Sequence, residues 1–348
     1  MTPKNPQENV SLASLTTFRI GGEARFLWRA ASMASLREGL EFAAAKKLPF
    51  FVLGEGSNTL ASDAGFDGVV IKIEMRGMEF RELPHDEAEV RVGAGENWDR
   101  FVAEAVKRGL CGIENLSLIP GTVGAAPVQN IGAYGVEAAS SIISVETFNP
   151  LTMKIETLMS ADCAFGYRDS IFKRPEGRHL IITEVTFRLR KNAKLNTSYK
   201  DIQKYLADHS IPLPTLAQVR EAVVAIRTAK LPDVSQLGTA GSFFKNPVIA
   251  KSQLEELLKS FPALPSFPAE NGEEGMVKVP AAWILDTLCG FRGFRSGNVG
   301  TYQHQALVLV NFGGGTEAQI IELASRMQGC VREKTALQLE FEVVRLPK

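Results

Sequence analysis

After Ser32, apolar residues recur at helical spacing, with Leu36, Leu40 and Ala44 on one face, so a helix capped by Ser32 is predicted. The continuous run PFFVLG (49–54) then reads as a buried strand, and GVVIKI (68–73) and AEVRVGAG (88–95) as two more. A helix follows from Asn97 to Leu110, with Trp98, Phe101, Val102, Ala105 and Val106 on its apolar side and Gly109 near its end. SVETF and MKIETL flank the turn dipeptide Asn149-Pro150 and predict a β-hairpin, with LIITEVTFRL (180–189) as a further strand. Thr215 with Gln218 forms a capping box for a helix reaching about Lys230, whose stripe is Val219, Ala222, Val223 and Ile226.

Past a domain boundary expected near 225–235, Ser252 with Glu255 and Thr316 with Gln319 read as two more capping boxes opening helices. Residues 260–275, rich in Pro, Gly and Glu, are expected to be a surface loop. In LQLEFEVVRL at the end of the chain, Leu337, Leu339, Phe341 and Val343 alternate with Gln338, Glu340 and Glu342, which predicts a strand with both glutamates on one face.

The 348 residues suggest two or three domains. The 39 basic and 39 acidic side chains cancel, which argues against a nucleic-acid partner, and 45% hydrophobic content is that of an ordinary globular chain. Cys111, Cys163, Cys289 and Cys330 lie far apart without a Cys-x-x-Cys pair, so no zinc or iron–sulfur site is expected, and reduced thiols in a cytoplasmic protein are the favoured reading. The first ten residues lack the apolar core of a signal peptide. Residues 115–136 carry no charged side chain, yet Pro120, Pro127 and four glycines oppose a membrane helix, so this stretch is expected to be a buried, irregular loop.

Two Gly-x-Gly turns follow strands, at Gly54–Gly56 and at Gly93–Gly95, but Thr59 and Trp98 stand where the dinucleotide fingerprint needs its third glycine. The uncharged loop carries the stronger signal. Gly121, Gly124, Gly132 and Gly135 can present backbone N–H groups, and Gln129 and Asn130 directed amides, to an enclosed diphosphate. The bland alternatives are tight turns and a loop packed on itself.

LGEGSN (53–58), IPGTVGAAPVQNIGAYG (119–135), FGYRDSIFK (165–173), GSFFKNP (241–247) and HQALVLVN (304–311) resemble, in the same order, the UDP-N-acetylenolpyruvoylglucosamine reductases. The resemblance implies a multidomain α+β or α/β chain. Its FAD-binding domain would have two lobes (1–75 and 76–227) of the vanillyl-alcohol-oxidase-like type, followed by an α/β substrate-binding domain (228–348) whose last strand returns to the active site. It implies non-covalent FAD, lined by Leu53, Gly54, Glu55, Gly56, Ser57, Asn58, Ile119, Pro120, Gly121, Thr122, Gly124, Ala125, Gln129, Asn130, Gly132 and Ala133. It also implies NADPH as electron donor and UDP-N-acetylglucosamine enolpyruvate as substrate, touched by Tyr134, Tyr199, Lys230, Asn246 and Gln305, in a monomer of the longer-loop subclass. No metal and no membrane insertion are expected.

In the implied reaction, hydride from reduced flavin reaches C3 of the enolpyruvyl ether, and negative charge spreads from C2 into the carboxylate. Arg168, in GYRDS, matches the arginine that would stabilise that charge, though alone it reads as a surface ion pair with Asp169. Ser242, in GSFFKNP, matches the proton donor to C2, against a simple turn serine. Glu342 matches the terminal catalytic glutamate, in LEFEV, where Phe341 replaces the family's proline and Glu340 is the competing carboxylate. A related FAD oxidoreductase with another substrate, and a non-catalytic nucleotide-binding module, are the alternatives.

Overall fold

The computed structural model describes residues 6–269 and 275–346. The chain divides into two compact units: one formed chiefly by Phe26–Glu55 and Gly68–Ala229, the other by Asn9–Arg25, Gly56–Asp67 and Lys230 onward.

In the first unit, Ser32 accepts the N–H of Ser35 and opens helix α1 (Met33–Lys46), which ends at Lys47 in the left-handed conformation. Leu36, Gly39, Leu40 and Ala43 are its buried residues. Ala43 takes the core position expected of Ala44, because Gly39 lets the helix sit close to the Trp28 ring, where an added Cβ would lie 2.8 Å from a ring carbon. Strand Phe50–Leu53 pairs in parallel with Phe66–Ile73, in register from Phe50↔Val69 to Leu53↔Lys72. The expectation that it is wholly buried fails at its start, for Phe50 is 38% exposed and only Leu53 is fully covered.

The unit's larger sheet is antiparallel, in the order Lys154–Met159, Ile142–Asn149, Ile181–Lys191, Glu87–Gly93, Met78–Leu83, and the short strand Leu110–Cys111 pairs with Ile181–Lys191. Asn149 closes the predicted hairpin by accepting the N–H of Leu151 and donating to Glu156. Helix α2 (Trp98–Lys107), capped by Asn97, buries Trp98, Phe101, Val102 and Ala105, and the Trp98 and Phe101 rings pack on Phe187. Helices α3 (Lys200–Asp208) and α4 (Leu216–Lys230) share a small core of Ile202, Leu206, Val223 and Ile226. The Thr215–Gln218 capping box of α4 forms as expected.

In the second unit an antiparallel sheet runs Gly238–Ser242, Gln305–Asn311, Val299–Tyr302, Arg295–Ser296. A three-stranded sheet of Val248–Ala250, Met276–Lys278 and Phe267–Pro268 adjoins helix α5 (Lys251–Ser260). Ser252 does not cap this helix: Ala250 is its N-cap, and Lys251 sends its N–H to Gly275 instead. The strand runs directly into the helix, leaving no turn for a capping serine. The expected 260–275 loop contains the Phe267–Pro268 strand and the buried Leu264; its residues 270–274 lie outside the described residues.

A short helix α6 (Ala281–Trp283) continues into a π-turn, Ile284–Leu288, followed by Cys289. Helix α7 (Glu317–Thr335) opens on the predicted Thr316–Gln319 box, reinforced by Asp63, which accepts the N–H groups of Glu317 and Ala318. Cys289 and Cys330 form a disulfide with Cα atoms 6.1 Å apart, which corrects the expectation of four reduced thiols; Cys111 and Cys163 are free and buried. The π-turn brings Cys289, which follows it, against α7, a proximity invisible at a sequence separation of 41. At the end of the chain Leu337, Leu339 and Val343 are buried as the alternation requires, but the regular strand is only Val344–Leu346, parallel to Thr59–Ala61. Residues 340–342 instead meet 243–245 through one bridge, Phe244↔Phe341, with flanking hydrogen bonds.

Among the described residues no helix is long and apolar enough to cross a membrane, and no acidic, histidine and cysteine cluster is suited to a metal ion.

Candidate active site

The uncharged stretch of the first unit folds as two single 3-10 turns, Glu114–Leu116 and Val123–Ala125, and a tight ribbon joining Gly132–Ala133 to Val136–Glu137. Three non-glycine residues in it, Leu118, Asn130 and Tyr134, hold φ between +44° and +58°, and Arg168 joins them at +52°. Such backbone persists only where neighbours over-determine it.

Those neighbours are visible. Asn130, 1% exposed, donates to the Glu137 carboxylate and the Gly166 carbonyl and accepts from Ala139 N–H, so its amide is spent inside the loop. Leu118 gives its N–H to the Asp99 carboxylate at 2.6 Å. Glu55 accepts from the Asn97 amide and from Gly121 N–H, each at 2.9 Å. Ser170 donates to the Val128 carbonyl.

The expected run of consecutive free backbone donors is not there. The N–H groups of Gly121, Val123, Gly124 and Ala125 all bond protein acceptors: Glu55, Glu96, Ala94 and Thr122 respectively. The glycines serve close approach instead. A Cβ on Gly124 would lie 2.6 Å from that of Ala94, and one on Gly54, after the 2%-exposed Leu53, would lie 2.7 Å from the Thr122 hydroxyl. Ile119 and Ala133 pack against the unit's core, and Pro120 and Gln129 lie in the same stretch.

The Asp169 carboxylate beside Arg168 is taken by Arg174 at 2.7 Å. The Arg168 guanidinium donates to the Gly132 carbonyl at 2.9 Å, while Lys173 donates to the backbone carbonyl of Arg168. A Cβ at Gly132 would stand 3.2 Å from the guanidinium, a tight contact that the arginine would have to yield to. Tyr134 packs edge-on against Tyr199, the N-cap of α3, with ring centres 5.2 Å apart. Burial first, then Asp201, raises the Tyr199 phenol pKa; burial pushes that of Tyr134 up to about 12 despite the opposing Arg227 charge. Both are neutral phenols at neutral pH.

The second unit holds the remaining candidates. Gly56, at φ +67°, leaves no room for a side chain, as a Cβ would lie 2.4 Å from the Leu15 carbonyl. Ser57 follows it, and Asn58 donates to the Glu342 carbonyl at 3.1 Å and accepts from Val344 N–H. Ser242 ends its strand opposite Val308, after Gly241 at φ +76°. Its neighbour Phe243 accepts the N–H of Glu342 at 2.9 Å, so backbone pairing sets the serine and glutamate segments side by side. Phe341 stacks its edge on Phe243 and packs on Phe244. Glu340 points elsewhere, exposed and ion-paired with Lys245. Asn246 accepts from Ala281 N–H, Gln305 from Leu307 N–H, and Lys230 is exposed at the end of α4.

The residues fit FAD within each unit taken by itself. In the first, the close approaches at Gly54 and Gly124 exclude side chains and the buried Asn115 Oδ1 has no hydrogen-bond partner in the protein; in the second, Gly56 excludes a side chain and the buried Thr16 Oγ1 has none. The reading of the sequence missed Asp99, Arg220 and Arg227. Arg220 pairs in two places with Asp99, at 2.7 and 2.9 Å, and burial of Asp99 is outweighed by the bonds from Arg220 and Leu118, which hold its carboxyl below the ordinary value. The only sequence signal was two arginines seven apart on one face of α4.

A family model described as an FAD binding domain matches residues 24–151, and that of the UDP-N-acetylenolpyruvoylglucosamine reductase C-terminal domain matches residues 233–346. The UDP-N-acetylenolpyruvoylglucosamine reductase of Chromobacterium violaceum is 43% identical over 96% of this chain and 97% of its own length. That of Pseudomonas aeruginosa is 42% identical over 97% of each. The crystal structure of the Thermus caldophilus enzyme, 26% identical, covers 98% of this chain and 100% of its own with a TM-score of 0.68. With identity above 40% along nearly the whole length and both domain models matched in order, the chain belongs to the UDP-N-acetylenolpyruvoylglucosamine reductase family.

Proposed function

We propose that this chain reduces UDP-N-acetylglucosamine enolpyruvate to UDP-N-acetylmuramate in peptidoglycan precursor synthesis, with FAD as cofactor and NADPH as electron donor, as a cytoplasmic monomer. The observation that supports the reading is the backbone bond from Glu342 to Phe243, which runs the Glu342 segment alongside the segment that carries Ser242.

Bound FAD would supply the electron chemistry, taking hydride from NADPH and delivering it to the substrate's methylene carbon. The protein's task is then to hold a carboxylate whose charge grows and to deliver one proton to C2. Arg168 suits the first, being a permanent cation oriented by the Gly132 carbonyl. Ser242 suits the second. A hydroxyl is a weak acid, but an enolate is a strong enough base to take its proton across a hydrogen bond. A protonated Glu342 would donate a further hydrogen bond to the enolate. Tyr134, Tyr199, Lys230, Asn246 and Gln305 are assigned to the UDP-sugar, where lysine serves as a point charge for diphosphate and the phenols as donors to oxygen. The glycine turns at 54–58 and 121–124 and the stretch 129–133 are assigned to FAD, by close contact more than by free amides.

The test is NADPH consumption by the FAD-loaded protein without oxygen, with and without the enolpyruvyl nucleotide. Consumption that requires it supports the reading. Bound flavin that NADPH reduces, without any response to the nucleotide, would favour a related flavin oxidoreductase with another substrate.

A further inference from the structure

Two side-chain amides bind the tip of the ribbon that joins Gly132–Ala133 to Val136–Glu137. Tyr134 and Gly135 form that tip, both left-handed at φ +50° and +78°, and the ribbon's own pairing stops on either side of them. Their carbonyls are served from outside the ribbon. Asn115, fully buried, donates to the Tyr134 carbonyl at 2.9 Å, and Asn196 donates to that of Gly135 at 3.0 Å. Asn115 Nδ2 donates also to the Asn196 backbone carbonyl at 2.9 Å. The two amides thereby staple the ribbon tip to the stretch that leads into α3.

Asn196 uses both ends of its amide. While Nδ2 holds Gly135, Oδ1 accepts the N–H and the hydroxyl of Ser198, at 3.2 and 2.8 Å. That closes a tight turn directly before Tyr199. Tyr199 then opens α3 as its N-cap without a side-chain bond to the helix, so the cap does not hold its ring. The residue is 41% exposed, and its ring meets that of Tyr134 edge-on, with centres 5.2 Å apart. Tyr134 in turn packs on the core shared by α3 and α4. An aromatic residue so exposed has little packing of its own to fix it, and its place follows from the backbone that delivers it.

We propose that Asn196 is a positioning residue: stapled to the ribbon tip through Gly135 and Asn115, it sets the Tyr199 ring against that of Tyr134, so that the two phenols meet the nucleotide substrate as one pair. This rests on the reading that Tyr199 touches that substrate. Asn196 acts through Tyr199 and does not itself touch it.

The test is a double-mutant cycle on KM for UDP-N-acetylglucosamine enolpyruvate in the FAD-loaded enzyme, using Asn196→Ala, Tyr199→Ala and the pair. Asn196→Ala is expected to raise KM about fivefold, as for loss of one net hydrogen bond, with kcat changed less than about twofold. Once the Tyr199 ring is gone, Asn196→Ala should add less than about twofold to KM. An equal further rise in both backgrounds, or an unchanged KM in Asn196→Ala alone, would overturn the proposal while leaving the reading of Tyr199 intact. An unchanged KM in Tyr199→Ala would overturn both. Should Asn196→Ala fail to retain flavin, Asn196→Ser, whose hydroxyl keeps an acceptor for the turn before Tyr199 but is too short to reach Gly135, carries the same cycle with the same criteria.

Discussion

The loop at 118–135 and the Ser242–Glu342 region each hold candidate functional groups, but by opposite means. Beside its backbone bonds, the loop's positive-φ positions are held by side chains: Asp99 and Arg227 on Leu118, Glu55 on Gly121, and Asn130 across Glu137, Gly166 and Ala139. Around Ser242, backbone bonds to backbone and three phenyl rings, Phe243, Phe244 and Phe341, do the holding, with a disulfide elsewhere in that unit. The difference follows from conformation. Left-handed, irregular backbone finds no ladder partner and must be satisfied by side chains, whereas extended backbone pairs with itself. The loop is therefore expected to tolerate few substitutions, and the serine region to separate chemistry from folding.

The largest expected effect tests that separation. Ser242→Ala should slow reoxidation of reduced flavin by substrate on the order of a thousandfold while leaving flavin reduction by NADPH and the unfolding midpoint nearly unchanged, as followed by anaerobic stopped-flow and by melting. Equal slowing of both halves would contradict the proton-donor role. The Cys289–Cys330 bond closes a separation of 41 residues, so reduction or a Cys289→Ser, Cys330→Ser variant should cost up to about 4 kcal/mol in denaturant unfolding. No change would mean that the rings and strands suffice.

In the loop, Asn130→Ala removes three hydrogen bonds at a left-handed position and should cost about 3 kcal/mol and weaken flavin retention, measured by urea unfolding and by the bound-flavin ratio. The smallest effect concerns Asp99. Its folded pKa lies below the ordinary value, so its stabilisation is complete above about pH 4 and is lost as the pH falls through the folded value. Stability should therefore drop on acidification below about pH 4 by about 1 kcal/mol more in the native chain than in Asp99→Asn. Parallel curves for the two would remove Asp99 as a pH-dependent brace.

What was legible in the sequence was local. Ser32, Thr215–Gln218 and Thr316–Gln319 cap helices as read, because a cap and its target lie within one turn. Ser252–Glu255 matched the same pattern and failed, since strand Val248–Ala250 enters the helix without a turn. The disulfide and the hydrogen bond from Arg227 to the Leu118 carbonyl depend on distant partners that no spacing rule reaches. The glycines of the loop were read as freeing amides; in the structure the N–H groups of Gly121 and Gly124 bond protein acceptors, and Gly124 serves close approach to Ala94. Arg168 beside Asp169 read, taken alone, as an ion pair; the structure pairs Asp169 with Arg174 and gives Arg168 the Gly132 carbonyl, partners that no local pattern signals.

The most direct test of the proposed function is to reduce the bound flavin with NADPH under anaerobic conditions, remove nucleotide, and add UDP-N-acetylglucosamine enolpyruvate. The account predicts that the flavin reoxidises without oxygen as one equivalent of UDP-N-acetylmuramate appears. Flavin that stays reduced until oxygen is admitted, with the enolpyruvyl nucleotide recovered intact, would contradict it.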